Sequence, residues 1–284
     1  GVLRAHQSRI TEALALLRPA ARGQVGVEHT AATLHSLLFT GHAHALAGRP
    51  GQALEAFTRY TNEVERRQVP RFAGRAVNFA GWVLRNLGAW AQAQDHHQEA
   101  LEAGQRQGTP DVTIAALEDL AEQQLETGDP DGAQARLDQA AALLHGDLVF
   151  GWRLKLKHRL ITGRLALARG DAERALAEAG ELESRANALG VPRYTSVARL
   201  LAHRANHALG LPVDLDAVAA DLDLLDGCVA IEAWRWSWDV AADFGNAAWR
   251  DRAADRTARL AREAGPYADA LRREADRRAA VPFS

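Results

Sequence analysis

VPRF at Val69–Phe72 and VPRY at Val191–Tyr194 are nearly the same tetrapeptide, set 122 residues apart. Each is followed, 18 residues after its proline, by a glycine with leucine before it: Leu87-Gly88 and Leu209-Gly210. The pattern spreads over most of the chain. Glycines recur at Gly48, Gly88, Gly128, Gly170 and Gly210, with spacings of 40, 40, 42 and 40. Their contexts agree: AGRPGQALEAF, LGAWAQAQDHH, TGDPDGAQARL and RGDAERALAEA. Alanine stands five residues after each of the first four (Ala53, Ala93, Ala133, Ala175), and proline 18 before three (Pro70, Pro110, Pro192).

Proline suits the first turn of a helix, where its missing N–H forfeits no bond, and glycine suits the left-handed position just past a helix end. The proline-to-glycine interval therefore predicts one helix of about 17 residues, close to five turns. A second helix follows each glycine, because LEAFTRYTNEVERR and ARLDQAAALL place apolar residues three and four apart. On this reading VPRF and VPRY are the same helix start, three periods apart. A lone helix pair cannot bury its apolar face, so the pairs stack into a solenoid. They are predicted at about 27–68, 69–108, 109–146, 147–190, 191–227 and 228–264, the last turning at Phe244-Gly245. A helix near Ser8–Leu17 and a polar one from Tyr267 to Arg278 are expected to cap the ends, making 1–284 one all-α repeat domain.

Composition allows this. The 284 residues are 47% hydrophobic and 25% charged, enough for a sizeable core. With 34 basic and 36 acidic residues the net charge is −2, which gives no field to draw the chain to nucleic acid or an anionic membrane. The only cysteine, Cys228, excludes an internal disulfide and a Cys-rich zinc site, and fits a reducing, cytoplasmic setting and a packing role. The longest stretch without Asp, Glu, Lys or Arg, His29 to Gly48, holds four histidines and is too polar to span a bilayer. Methionine is absent, and Lys155 and Lys157 stand against 32 arginines; we read the chain as a piece of a longer protein from a GC-rich coding sequence.

The repeats resemble tetratricopeptide repeats. That family has a small residue seven before the turn glycine, where the two helices meet, and alanine five after it. Here Gly41, Gly81, Ala121 and Gly163 fill the first position, with His203 departing, and Ala53, Ala93, Ala133 and Ala175 the second, with Leu215 departing. The aromatic expected eleven before the glycine is matched only by Trp234, and the period exceeds the usual ~34. The array is similar to the elongated ones beside the ATPase core of actinobacterial LuxR-type and related signal-transduction (STAND) regulators. The resemblance implies a right-handed superhelix and a parent with that ATPase core, in a group of regulators that also carries DNA-binding domains.

Catalytic motifs are missing. No glycine-rich loop precedes either lysine, and neither G-x-S-x-G nor H-E-x-x-H occurs. His42 and His44 lie about 200° apart on a helix, adjacent His96 and His97 fail likewise, and His35 with His42 lacks a third ligand, so neither metal nor cofactor is expected. In EAWRWSWDV, Trp234 and Trp238 share a face while Trp236 points away; they read as packing of the last repeat, with a partner surface the alternative.

By the resemblance, the first helix of each pair lines a concave groove at positions 13, 10, 6 and 3 before the glycine. Carried over, these are His35 and His42; Arg75, Asn78, Trp82 and Arg85; Glu118 and Glu122; Lys157 and Arg164; and Arg204 and His207. Arg75, Asn78 and Arg85 on one stripe with Trp82 suit a carboxylate or phosphate beside an apolar group. Arg71 and Arg193 are read as arranging helix starts. The expected function is a non-catalytic sensor or interaction module of a bacterial signal-transduction or transcriptional regulator, taking a protein, peptide or small-molecule effector in the groove. Two alternatives stand beside it. An oligomerisation scaffold would expose an apolar patch around Trp236 and Trp249 and make the chain a homo-oligomer. A receptor for a short signalling peptide would carry an asparagine ladder, yet Asn78 is followed by Glu118, Leu160 and Leu200 at equivalent positions.

Overall fold

Gly48, Gly88, Gly128, Gly170 and Gly210 all hold φ between 69° and 82°, the left-handed region that a Cβ disfavours. Each turns the chain between two antiparallel helices. The structure, a computed structural model, describes residues 1–21, 30–245 and 247–280, so residues 27–29 of the first expected pair lie outside it. The described residues are all-α, with no strand among them.

Two short helices, α1 (Val2–His6) and α2 (Ile10–Ala21), come first. The pairs are α3 (Thr30–Leu46) with α4 (Pro50–Arg66), α5 (Arg75–Asn86) with α6 (Trp90–Gln107), and α7 (Pro110–Glu126) with α8 (Pro130–Ala141). Then come α9 (Gly151–Ala168) with α10 (Ala172–Leu189), and α11 (Pro192–Ala208) with the first part of α12 (Leu215–Phe244). The second part of α12 pairs with α13 (Ala247–Glu263), and α14 (Ala268–Ala279) ends the described chain. Proline opens α4, α7, α8 and α11, while Asp129, Asp171 and Asp214 accept N–H bonds at the starts of α8, α10 and α12. The small residues do what the tetratricopeptide pattern requires. A Cβ on Gly41 would lie 2.4 Å from the Phe57 ring, and one on Gly81 2.7 Å from His97. Ala53, Ala93, Ala133 and Ala175 are all 0% exposed.

Several local expectations are corrected. VPRY opens α11 directly at Pro192, but Pro70–Phe72 forms only a 3₁₀ turn and α5 starts at Arg75. The break comes at Ala73 (ψ 154°) and Gly74 (φ 87°), where the backbone is pressed on its neighbours: a Cβ on Gly74 would sit 3.0 Å from Val112 and 3.1 Å from Ala103. Tyr60 Oη pins the turn by donating to the Phe72 carbonyl at 3.0 Å. No loop parts the fifth and sixth pairs; α12 runs through and bends at buried Val229 (φ −152°, ψ 69°). Ser8 adopts φ 61° and stands outside α2. Trp236 and Trp249 are buried, so the patch that would favour a scaffold is not there.

The solenoid closes on itself. Trp82 Nε1 on α5 donates to Glu232 on α12 at 2.8 Å, and Trp234 Nε1 donates to the Asn86 carbonyl at 3.0 Å. Near the α5–α6 turn, Trp90 Nε1 donates to Glu274 of α14 at 3.2 Å. Two tryptophans contribute large buried area and a satisfied N–H each, which suits a permanent seam. The first helices of the pairs therefore surround a narrow axial channel that their own side chains fill between its two openings, instead of an open groove.

Candidate functional site: the axial channel

Residues four apart share a helix face, so the positions counted back from each turn glycine deliver side chains toward the axis. Most of the expected groove residues meet there. Asn78 Nδ2 donates to Asp119 at 2.8 Å while its Oδ1 lies 2.8 Å from His97 Nδ1. Arg85 donates to Asp119 at 3.3 Å and Glu122 at 2.6 Å, and Lys157 pairs with Asp119 at 2.5 Å. Arg164 donates to Glu122 at 2.9 Å and Glu126 at 2.5 Å. Arg204 holds Asp243 at 2.5 Å and Asp239 at 3.2 Å. Arg75 grips both Asp111 oxygens, at 3.1 and 2.9 Å. His207 stays outside the network, exposed, with its ring centre 4.7 Å from that of Phe244 and its plane inclined at 50°. His35 is half-buried beside Phe72, and His42 is buried.

Other channel residues were overlooked, though their signal was present. Glu232, Arg235 and Asp239 stand 13, 10 and 6 residues before Gly245, the same offsets in the sixth pair. Arg235 reaches Glu122 at 3.4 Å. Arg153 and Arg193 each stand 17 before a turn glycine, as does Asp111. Arg193 does more than arrange a helix start: it holds Glu232 at 2.5 Å and lies 5.4 Å from the Trp82 ring centre. Arg278 of α14 enters the channel, pairing with Glu126 and, at 2.7 Å, with Asp239, so the last helix contributes to the channel.

Burial and charge compete in this network. Burial pushes the Asp119 carboxyl up, but Lys157, His97 and Arg85 outweigh it and hold the group at about 2. Glu122 is likewise raised by burial and pulled well below the usual carboxylate range by Arg85, Arg164 and Arg235. Glu126 is held well down by Arg278, Arg235 and Arg164 despite its burial. Glu118 behaves oppositely: burial dominates, its carboxyl is raised well above normal, and neither oxygen has a hydrogen-bond partner among the described residues. His158 Nδ1 lies 3.8 Å away and is itself kept neutral by burial, so the contact is no ion pair. Burial also pushes His97 down to about 3 and His42 well below the usual histidine range.

The channel has two ends. One lies toward the turn glycines, lined by Glu126, Arg164, Arg204, Asp239, Asp243 and Arg278, and holds about 1540 Å³ of non-protein space counting the solvent at its opening. Its arginines all have carboxylate partners, Arg277 included, which donates to Glu274 at 2.6 Å. The other lies at the starts of the inner helices, lined by His35, Phe39, Arg75, Phe79, Asp111, Phe150 and Arg153, and holds about 510 Å³ measured the same way. Past Asn78, Phe79 and Arg153 a second space of about 300 Å³ leads to His42, Trp82 and Tyr194. Arg153 is the exception among the channel cations. Its guanidinium lies 5.1 Å from the Phe79 ring centre and has no ion pair or side-chain hydrogen bond among the described residues. Both His42 ring nitrogens and the Tyr194 hydroxyl, all buried, also lack hydrogen-bond partners among the described residues. Phe150, at the rim, is held at φ 54°, a conformation that costs a non-glycine residue about 1–2 kcal/mol.

Fold and channel together define the class: a tetratricopeptide-like α-solenoid whose inner helices enclose an axial cavity. Among solved structures, a Rap protein complexed with competence and sporulation factor superposes with a TM-score of 0.68, over 93% of this chain and 72% of that one, at 15% identity. At that identity the likeness is one of fold. No protein-family model matches the chain. No curated protein matches it either. Among the described residues, no helix is long and apolar enough to cross a membrane.

Proposed function

We propose that this chain is a non-catalytic sensor module of a cytoplasmic bacterial signal-transduction or transcriptional regulator, and that its effector, a small molecule or short peptide, binds in the axial channel at the Arg153 end. The parent protein would supply the ATPase core that reads the bound state, as in the regulators the repeats resemble. The observation that carries the proposal is the uncompensated arginine in an aromatic-walled opening, in a channel whose other cations are paired. A buried or half-buried charge without a partner is unfavourable in the empty protein, and an oppositely charged ligand relieves it. The solved complex of a Rap protein, which shares the fold, with competence and sporulation factor supports an effector-binding role for such an array.

Closure of the ring refines what can bind. A folded domain has no access to the axis, whereas a small molecule or the end of a short peptide can reach the opening at the Arg153 end. The test is thermal unfolding of the chain against peptides, nucleotides, sugars and organic acids. Binding to the native state must raise the melting temperature, and the hit is expected to vanish in Phe79→Ala. A panel in which no class stabilises the chain contradicts the proposal.

A further inference from the structure

We propose that the effector is recognised through a carboxylate that docks on Arg153, with an aromatic or branched apolar group against Phe39, Phe79 and Phe150; this rests on the sensor reading above. The charges around the opening decide the sign. Arg75 is matched by Asp111 at 2.9 Å, Lys157 by Asp119 at 2.5 Å and Arg193 by Glu232 at 2.5 Å, which leaves Arg153 as one surplus positive charge. A cationic ligand would meet that surplus with the Asp111, Asp119 and Glu232 carboxylates already engaged, while Glu118, which has no hydrogen-bond partner among the described residues, is fully buried with its carboxyl raised by that burial. The surplus is a single charge on a planar fork, which fits a carboxylate held by two parallel bonds. A phosphate dianion would bring a second charge that nothing in the opening answers.

The walls supply the rest of the ligand. Phe39 and Phe150 stack edge to face at 5.2 Å, and Phe79 lies beneath the Arg153 guanidinium. An apolar body packed there is shielded from water, and the same shielding strengthens the carboxylate–guanidinium pair. Deeper in, the unpartnered Tyr194 hydroxyl and the neutral His42 ring offer a donor and an acceptor to an uncharged polar group such as an amide. Two ligand sources share this chemistry: a small organic acid and the C-terminal end of a short peptide.

Titration calorimetry separates them. The probes are 3-phenylpropionate and its amide, phenyl phosphate, and the pentapeptide Ala-Ala-Ala-Leu-Phe with a free or an amidated C-terminus. Each acid is expected to bind at least about tenfold more tightly than its amide, since a charge-assisted bond is at stake. That ratio should fall to about one in Arg153→Gln and survive in part in Arg153→Lys, which keeps the charge and guards against a variant that fails to fold. A larger acid-to-amide ratio for the peptide pair assigns the peptide source, and a larger one for phenylpropionate the small acid. Equal binding of acids and amides, a ratio unchanged in Arg153→Gln, or tighter binding of phenyl phosphate overturns the carboxylate assignment and leaves the sensor reading standing. Silence of every probe, with Phe79→Ala indistinguishable in the wider panel, overturns both.

Discussion

The two ends of the channel are made of the same materials, arginine, carboxylate and aromatic ring, and differ in how the charges are balanced. At the Arg204 end each guanidinium has its carboxylates: Arg204 sits on Asp239 and Asp243, and Arg164 and Arg278 share Glu126. At the other end Arg153 lies on Phe79 with no ion-paired carboxylate among the described residues. A matched network in low dielectric adds little net stability over apolar packing but is severe to break, and so it fixes which helices meet. An unmatched charge does the reverse: it costs the empty fold and rewards a ligand. The wider end is therefore the structural closure of the ring, and the smaller one the candidate receptor site.

The contrast can be broken in four places, in order of expected effect. Removing a carboxylate from the closure should hurt most. Glu126→Ala strips a partner from Arg164, Arg235 and Arg278, and urea unfolding should show a loss of about 3–5 kcal/mol; a loss below about 1 would mean the network does not hold the ring. Acid should weaken the fold next. His97 is held at about 3, below the ordinary histidine value of 6.5, so the unfolded chain binds the proton that the folded one refuses. Stability is thus intact above pH 6.5 and declines as pH falls toward 3, by about 1.4 kcal/mol per unit for this histidine. Unfolding of His97→Gln at pH 6.5 and pH 5 should show a slope shallower by about that amount, and an unchanged slope would contradict the burial argument. Arg75→Ala removes a mostly buried pair with Asp111 but only one carboxylate partner, where Arg204 has two, and should cost about 1–2 kcal/mol by the same urea assay. Arg153→Met should change stability least, within about 0.5 kcal/mol or to the better, because no ion pair or side-chain hydrogen bond among the described residues is lost and the methionine can still pack on Phe79.

Much of this was legible in the sequence because backbone punctuation is local. A glycine at φ 72° or a proline in a first turn reports its own geometry, so Gly88 and Pro192 announced their helices without help from distant residues. Pro70 misled because what overrides it is tertiary: Val112 and Ala103 pressed on Gly74. The groove offsets delivered Arg85, Glu122 and Arg164 to one axis, since periodicity fixes which face a residue occupies. Periodicity does not say what stands opposite. That Glu122 meets Arg235, 113 residues on, depends on the superhelix closing, which no single repeat records. Arg153 escaped notice for the same reason: its distinction is a missing partner, and a sequence shows residues but not which pairs they complete.

The most direct measurement is urea unfolding of Arg153→Met and Arg204→Met side by side, each with and without 3-phenylpropionate. The account predicts a crossed result. Arg204→Met should lose at least about 2 kcal/mol, leaving Asp243 unpaired, yet still be stabilised by the acid. Arg153→Met should match the parent chain in stability and be indifferent to the acid. If Arg153→Met is the damaged protein, or Arg204→Met the one deaf to the ligand, charge balance does not distinguish the two ends and the assignment of the receptor site fails.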